Sequence, residues 1–292
     1  MLDELGARRL RLSIYWDEIA PAADHLSFAP VRRWLDPLEA RGGRALVTLG
    51  LKAQRWPEYY PPAWLMQDHP LPDGADLETE GRVVSHLLLM LERLTAFLAD
   101  YDAVEAWQVE NEPLIAPRNS VRWLISPALL AREIAVVRDA DPRRRPVIVN
   151  HSTEDRFDRR WWTSLQLADV LAENIYTRKP ARRRWPRYVN PHCFGPLAPP
   201  LRREARAAAM LGKELWVTEL QAEPWESEDV REIASARIAS VSPARIEANL
   251  RLAHRAGARR VYLWGAEWWR FMAERHGDTR YWELGQRLFQ SG

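Results

Sequence analysis

The sequence of residues 83–113 is VVSHLLLMLERLTAFLADYDAVEAWQVENEP, and it contains the pattern that decides the fold. Its first part repeats apolar residues at intervals of three and four: Val84, Leu87, Leu88, Leu91, Leu94 and Leu98. This spacing predicts an amphipathic helix over residues 83–101. Residues 104–112 are mostly apolar or aromatic and are stopped by Pro113, which predicts a strand.

The same alternation extends over the whole chain. Two further helix starts have Ser before Pro, at Ser126-Pro127 and Ser242-Pro243, which matches an N-cap followed by the first helical residue. Gly257 is predicted to end the second of these helices, and a last helix is predicted over residues 279–290. Short apolar segments predict further strands over residues 10–16, 45–51, 146–150, 170–176, 214–220 and 260–266. Strands that alternate with helices favour a parallel sheet covered by helices.

Two architectures fit this alternation, the doubly wound sheet and the (β/α)8 TIM barrel. A dinucleotide-binding sheet needs a glycine-rich turn after a strand, and this chain has only 13 glycines and no such turn. We therefore predict one barrel domain over residues 1–292, a length compatible with the ~250 residues typical of the fold. Only seven strands are visible, and residues 2–6 resemble the end of a helix. The expectation is an N-terminally incomplete barrel without its first strand, whose first and last visible strands are edges.

Composition excludes several classes of function. The chain has 42 basic and 40 acidic residues, a balance too even for nucleic acid as the main partner. The single cysteine, Cys193, excludes an intramolecular disulfide and a cysteine-based zinc site. No segment has the length and apolarity of a membrane span, and no signal peptide is visible. We therefore expect a cytoplasmic location by default, unless a segment precedes this chain.

Two carboxylates end predicted strands. Glu112 closes the strand over residues 104–112, and Glu219 shares one strand face with Leu215 and Val217. Catalytic groups of barrel enzymes lie at the C-terminal ends of strands, and a pair of carboxylates on a rigid rim is what glycoside hydrolysis requires. The alternative for each glutamate alone is a solvated side chain or one paired with arginine.

The tripeptide Asn111-Glu112-Pro113, with Glu219 three strands later, resembles the clan A glycoside hydrolases. The layout is most similar to the cellulase-like family 5 members and their bacterial relatives, and the resemblance covers nearly all of residues 5–289. It implies a retaining enzyme with a carbohydrate substrate and no metal or organic cofactor. Glu112 would be the acid/base and Glu219 the nucleophile, on the fourth and seventh barrel strands once the missing strand is counted. We expect their carboxyl groups to face each other at the ~5–5.5 Å separation of a retaining pair.

The resemblance also implies substrate-binding and supporting residues. Asn111 would donate to the sugar 2-hydroxyl, Arg11 would support the nucleophile, Tyr176 would bond to it, and Trp264 would form the floor under the sugar. Two loop aromatics directly follow strand ends and are predicted to stack on sugar rings, Trp56 and Trp225. Each has an ordinary structural alternative: a surface arginine, a rim tyrosine, a core tryptophan or loop packing.

Two rival functions remain open from the residues. A non-catalytic glycan-binding barrel would keep the aromatic side chains but would not need both Glu112 and Glu219. An oxidoreductase or aldolase barrel would need a nucleotide site or a lysine at a strand end, and the sequence does not show either. The prediction is a retaining β-glycosidase that cleaves β-linked O-glycosidic bonds in oligo- or polysaccharides.

Overall fold

The computed structural model describes residues 2–67, 70–115, 122–151, 159–180, 188–189, 200–226 and 238–290. Seven strands form one sheet, in which they are ordered as in the chain. The paired strands run parallel wherever their register is defined. Their bounds are β1 Arg9–Ser13, β2 Arg44–Leu49, β3 Val104–Val109, β4 Val147–His151, β5 Val170–Ile175, β6 Glu214–Gln221 and β7 Arg260–Trp264. The predicted seven strands are thereby confirmed, and β1 and β7 are the end members of the strand order.

Helices separate the strands along the chain. They are α1 Leu2–Leu5, α2 Trp16–Ile19, α3 Ala29–Ala40, α4 Ala63–Gln67, α5 Gly81–Leu98, α6 Pro127–Ala140, α7 Arg159–Leu167, α8 Pro200–Met210, α9 Pro243–Ala256, α10 Ala266–His276 and α11 Arg280–Gln290, with a 3-10 turn at Leu77–Thr79. Two-residue strands pair Ala75–Asp76 with Trp123–Leu124 and Lys179–Pro180 with Tyr188–Val189. In the described part of the chain, no helix is both long and apolar enough to cross a membrane.

The chain divides into two compact units, of which the first is Arg9–Leu171. It contains β1 to β4, and β2 is buried along nearly its whole length, as expected for a parallel strand covered on both faces. The apolar stripe of α5 is buried as the periodicity predicts, except that Leu88 is only half-buried. Helix α6 begins where the sequence indicates, because the hydroxyl of Ser126 accepts a 3.0 Å bond from the Leu129 N–H.

The second unit joins Met1–Arg8 to Ala172–Gly292. Its core is an apolar cluster between the segment after β6 and helices α9 to α11, formed by Ala222, Val241, Ile246, Trp268, Trp269, Met272, Tyr281 and Leu284. Gly257 ends α9 in the left-handed conformation, as predicted. Residues 2–5 are helical, and Arg270 forms an ion pair with Glu4 of this helix.

Four predicted strands end earlier than expected. The strand predicted over 45–51 ends at Leu49, because Gly50 has a φ of 139°. The strand predicted over 104–112 ends at Val109, because Glu110 and Glu112 adopt positive φ angles of 62° and 46°. The strand predicted over 10–16 ends at Ser13, and Trp16 already begins α2. The last strand ends at Trp264 because Gly265 has a φ of 140°, and a Cβ there would approach the Glu223 backbone to 2.8 Å.

Candidate active site

In the unit Arg9–Leu171, Glu112 lies half-buried just beyond the C-terminal end of β3. Its backbone N–H donates a 2.7 Å hydrogen bond to Oδ1 of Asn150, at the end of β4. Its carbonyl oxygen accepts a 3.2 Å bond from Nζ of Lys52, which follows β2. Side chains from two neighbouring strands therefore hold the peptide groups on both sides of this glutamate.

Arg11 on β1 orients the amide of Asn111. Its Nη2 donates to Asn111 Oδ1 at 2.8 Å, and its Nε donates to Oε1 of Gln108 at 2.8 Å. Nδ2 of Asn150 donates a further 3.0 Å bond to Asn111 Oδ1. Because two donors converge on the oxygen of Asn111, its Nδ2 is the polar group left for another partner, and this group is a donor. The structure thus brings Arg11, Asn111 and Glu112 together.

Glu110 is completely buried beside this network. Its Oε1 accepts from the Leu51 N–H at 2.7 Å, and its Oε2 accepts from the Lys52 N–H at 2.5 Å. Burial raises the pKa of Glu110 to about 7, against the lowering effect of these two bonds and of the Lys52 ammonium. Gly50 is required here, because a Cβ at this residue would lie 2.4 Å from the Glu110 carboxyl group.

In the other unit, Glu219 lies buried near the C-terminal end of β6. The register between β6 and β7 shifts between Val217 and Leu220, so the irregularity of the strand falls at Thr218 and Glu219. The hydroxyl of Tyr176, the first residue after β5, donates a 2.5 Å bond to Oε2 of Glu219. The carboxylate is therefore held in one orientation by a side chain of the adjacent strand.

Two of the predicted tryptophans belong to the same unit. The Trp225 ring packs edge-on against Tyr176, with centroids 5.0 Å apart, and keeps 38% of its surface exposed. Nζ of Lys179 lies 4.4 Å from the Trp225 ring centroid. Trp264 is the last residue of β7, and its Nε1 donates a 2.8 Å bond to Oε1 of Glu223. Tyr176, Glu219 and Trp225 thus form one contiguous group, and Glu223 fixes the indole of Trp264.

Trp56 is far more exposed than the other predicted site residues. It lies in the segment after β2, its side chain is 84% exposed, and its carbonyl oxygen accepts a bond from Tyr60. Its ring therefore faces mainly solvent.

Sequence reasoning missed three polar residues that hold the Glu112 segment: Lys52, Gln108 and Asn150. Their common signal is a polar side chain at or just beyond a strand end. Lys52 is one of only three lysines in the chain and lies buried just beyond the end of β2, so the expectation that no lysine lies at a strand end was wrong.

Comparison with known proteins gives no matching family model and no matching curated protein. Solved structures do match. The β-galactosidase from the psychrophilic Marinomonas ef1 is 14% identical with a TM-score of 0.66, covering 99% of this chain and 56% of its own. A GH5_18 protein from Streptomyces cattleya, in complex with GlcNAc, is 18% identical with a TM-score of 0.61, covering 90% and 63%. An exo-β-1,4-mannosidase from Opitutaceae bacterium strain TAV5 is 16% identical with a TM-score of 0.64, covering 99% and 54%.

The chain has the (β/α)8 barrel fold. The parallel strand order and these similarities confirm the predicted fold class. Similar solved structures are glycoside hydrolases, and at 14–18% identity the likeness establishes the fold alone. The chain spans between 54% and 63% of the length of these three proteins.

Proposed function

We propose that this chain is a retaining glycoside hydrolase of the clan A type, acting on β-linked O-glycosidic bonds in oligo- or polysaccharides. The observation that carries the proposal is the 2.5 Å bond from the Tyr176 hydroxyl to the Glu219 carboxylate at the end of a barrel strand. A nucleophilic carboxylate must approach the anomeric carbon along one line, and a donor on one oxygen fixes the direction of the other.

Glu219 is the proposed nucleophile and Glu112 the proposed acid/base. Glu219 attacks the anomeric carbon and forms a glycosyl ester, while the proton of Glu112 passes to the leaving glycosidic oxygen. Glu112, now a carboxylate, takes a proton from the water that attacks the same carbon, and Glu219 leaves as a carboxylate. Glu112 thus loses a proton in the first step and regains one in the second. The cycle needs no cofactor to supply or remove protons or electrons.

The remaining predicted residues receive roles that follow from their contacts. Asn111 is proposed to donate from Nδ2 to the sugar 2-hydroxyl, since Arg11 and Asn150 bind its Oδ1 and thereby orient the amide. The support of the nucleophile that the resemblance implies for Arg11 stays a prediction. Trp264 and Trp225 offer aromatic faces in the unit that contains Glu219. Trp56, exposed on the other unit, is proposed to stack on a sugar residue further along a long substrate.

A glycan-binding protein without turnover is the second candidate. The exposed rings of Trp56 and Trp225 favour it, since both could hold a sugar without either carboxylate. The two functions differ in whether a bond is broken, so a single assay separates them.

The test is a panel of chromogenic aryl β-glycosides and β-glucans, with proton NMR of the first anomer released. We expect hydrolysis with retention, loss of turnover in Glu219→Gln, and a fall of about 10²–10⁴-fold in Glu112→Gln on substrates with poor leaving groups. Glu214→Gln and Glu105→Gln are matched controls, because these carboxylates lie at the opposite ends of the same two strands. Saturable binding without hydrolysis would establish the glycan-binding alternative, and an inverted first product would refute the retaining mechanism.

A further inference from the structure

Glu110 has no part in the proposed proton transfers, yet the local backbone is built around it. Both of its carboxyl oxygens accept hydrogen bonds from the consecutive backbone N–H groups of Leu51 and Lys52. Gly50 leaves room for the carboxyl group where any Cβ would overlap it. The carboxyl group therefore fixes the path of the chain directly after β2.

Lys52 links the Glu110 carboxyl group to the backbone of Glu112, the proposed acid/base. Its side chain is almost completely buried, and its Nζ donates to the carbonyl oxygen of Glu112 at 3.2 Å. The same ammonium lies 3.3 Å from Oε2 of Glu58, which balances its charge. The connection runs from the Glu110 carboxyl group through the Lys52 backbone and ammonium to the Glu112 carbonyl, entirely within the unit Arg9–Leu171.

The backbone at the end of β3 adopts an unfavourable conformation that hydrogen bonds from neighbouring residues must hold. Glu110 and Glu112 both occupy the left-handed region, with φ angles of 62° and 46°. Residues with a Cβ hold this conformation only where the surroundings enforce it. Asn150 restrains the Glu112 N–H, whereas the Glu112 carbonyl accepts from Lys52 at 3.2 Å and from the Ile115 N–H at 3.4 Å. Loss of the Lys52 contact therefore leaves this carbonyl with the longer of the two bonds.

We propose that Glu110 and Lys52 are positioning residues, which together set the placement of the Glu112 carboxyl group for proton transfer. The inference rests on the proposed function, because it assigns Glu112 the acid/base role. The titratable groups near Glu110 in the described structure are Lys52, Tyr59 and, on α6, the buried Glu133. Glu133 touches neither Leu51 nor Lys52 through a hydrogen bond, which makes it a matched buried carboxyl group.

The experiment compares Glu110→Gln and Lys52→Met with Glu133→Gln. In Glu110→Gln the new NH₂ group faces a backbone N–H, so that one of the two donors loses its acceptor. Misplacement of the acid should cost about 10²-fold in kcat/KM on substrates with poor leaving groups. Dinitrophenyl glycosides need little protonation and should change by no more than about threefold. Added azide should accelerate their turnover in both positioning variants, since hydrolysis of the intermediate needs the base.

Glu133→Gln should keep the wild-type leaving-group dependence. An equal loss on both substrate types in folded Glu110→Gln, or an unchanged leaving-group dependence, would overturn the positioning role. Amide hydrogen exchange provides a readout that needs no turnover. The Glu112 N–H should exchange faster in Glu110→Gln than in Glu133→Gln, and equal rates would overturn the inference. If the wild-type chain cleaves no glycoside, the proposed function fails, and the exchange rates still decide whether Glu110 holds this backbone.

Discussion

The Tyr176 hydroxyl donates a 2.5 Å hydrogen bond to Oε2 of Glu219, and the edge of Trp225 packs on the same tyrosine ring. Tyr176 therefore contacts both the Glu219 carboxylate, through its hydroxyl, and the partly exposed Trp225 ring, through its own ring. Tyr176→Phe separates the two roles, because it removes the donor and keeps the ring.

For Tyr176→Phe we expect kcat to fall about 10- to 100-fold, the equivalent of one hydrogen bond to a charged group. KM should stay nearly unchanged, since the Trp225 contact persists. Steady-state kinetics on an aryl glycoside measures both values. Tyr281→Phe is the control, because it removes a buried hydroxyl of the same unit. This hydroxyl makes only a long hydrogen bond, 3.4 Å to the Val241 carbonyl oxygen. A rise in KM at constant kcat would contradict the orienting role.

Trp56→Ala tests whether the exposed ring stacks on a distant sugar residue. The side chain is 84% exposed, so the free energy of unfolding should change by no more than about 0.5 kcal/mol. KM for a long oligosaccharide should rise about fivefold, corresponding to about 1 kcal/mol of aromatic contact. KM for an aryl monosaccharide glycoside should not change. An equal effect on both substrates would place Trp56 next to the cleaved bond instead.

Stability should decrease as the pH rises from about 4.5 to about 7. Burial raises the pKa of Glu110 from 4.5 to about 7, so over this interval the folded chain keeps a proton that the unfolded chain has lost. The slope of the unfolding free energy with pH is then negative, and this contribution levels off above pH 7. Urea denaturation at several pH values should show a shallower decrease in Glu110→Gln. A decrease as steep as in the wild type would rule out Glu110 as the titrating group.

Glu133→Met should stabilise the protein at neutral pH. Glu133 is fully buried on α6, and neither carboxyl oxygen has a hydrogen-bond partner in the described part of the chain. Burial, and secondarily the nearby Glu110, raise its pKa well above the usual range. Methionine fills a similar volume without an unpaired polar group, so the unfolding free energy should increase by about 1–3 kcal/mol. Glu247→Met on α9 is the control, because this carboxylate is only partly buried and pairs with Arg251 and Arg287. A loss of stability in Glu133→Met alone would point to a partner for the Glu133 carboxyl group.

The sequence was sufficient for the seven strands of the main sheet and for α1, α5, α6, α9 and α11 because their signals are local. The stripe of α5 and the Ser126 cap each depend on residues close in the chain. The end of β3 could not be predicted, because the positive φ angles of Glu110 and Glu112 depend on groups contributed by β2 and β4. The contact of Tyr176 with Glu219 followed from the family resemblance, whereas the burial of Lys52 has no local signal. Cys193 lies outside the described residues.

Azide should rescue the two proposed catalytic variants with opposite stereochemistry. Glu219→Ala opens space beside the anomeric carbon, so azide can attack from that face and yield the inverted glycosyl azide. Glu112→Ala keeps the nucleophile, and substrates with good leaving groups should still form the covalent intermediate. Azide then attacks that intermediate and gives the retained product, since two displacements have occurred.

Proton NMR of the isolated azides distinguishes the two outcomes, and Glu214→Ala and Glu105→Ala should yield no azide adduct. A retained azide from Glu219→Ala together with an inverted one from Glu112→Ala would show that Glu112 is the nucleophile and Glu219 the acid/base. Full activity of both variants on every substrate would remove both carboxylates from the mechanism. In the proposed mechanism each glutamate acts on one face of the sugar, so the stereochemistry of the products assigns the two roles.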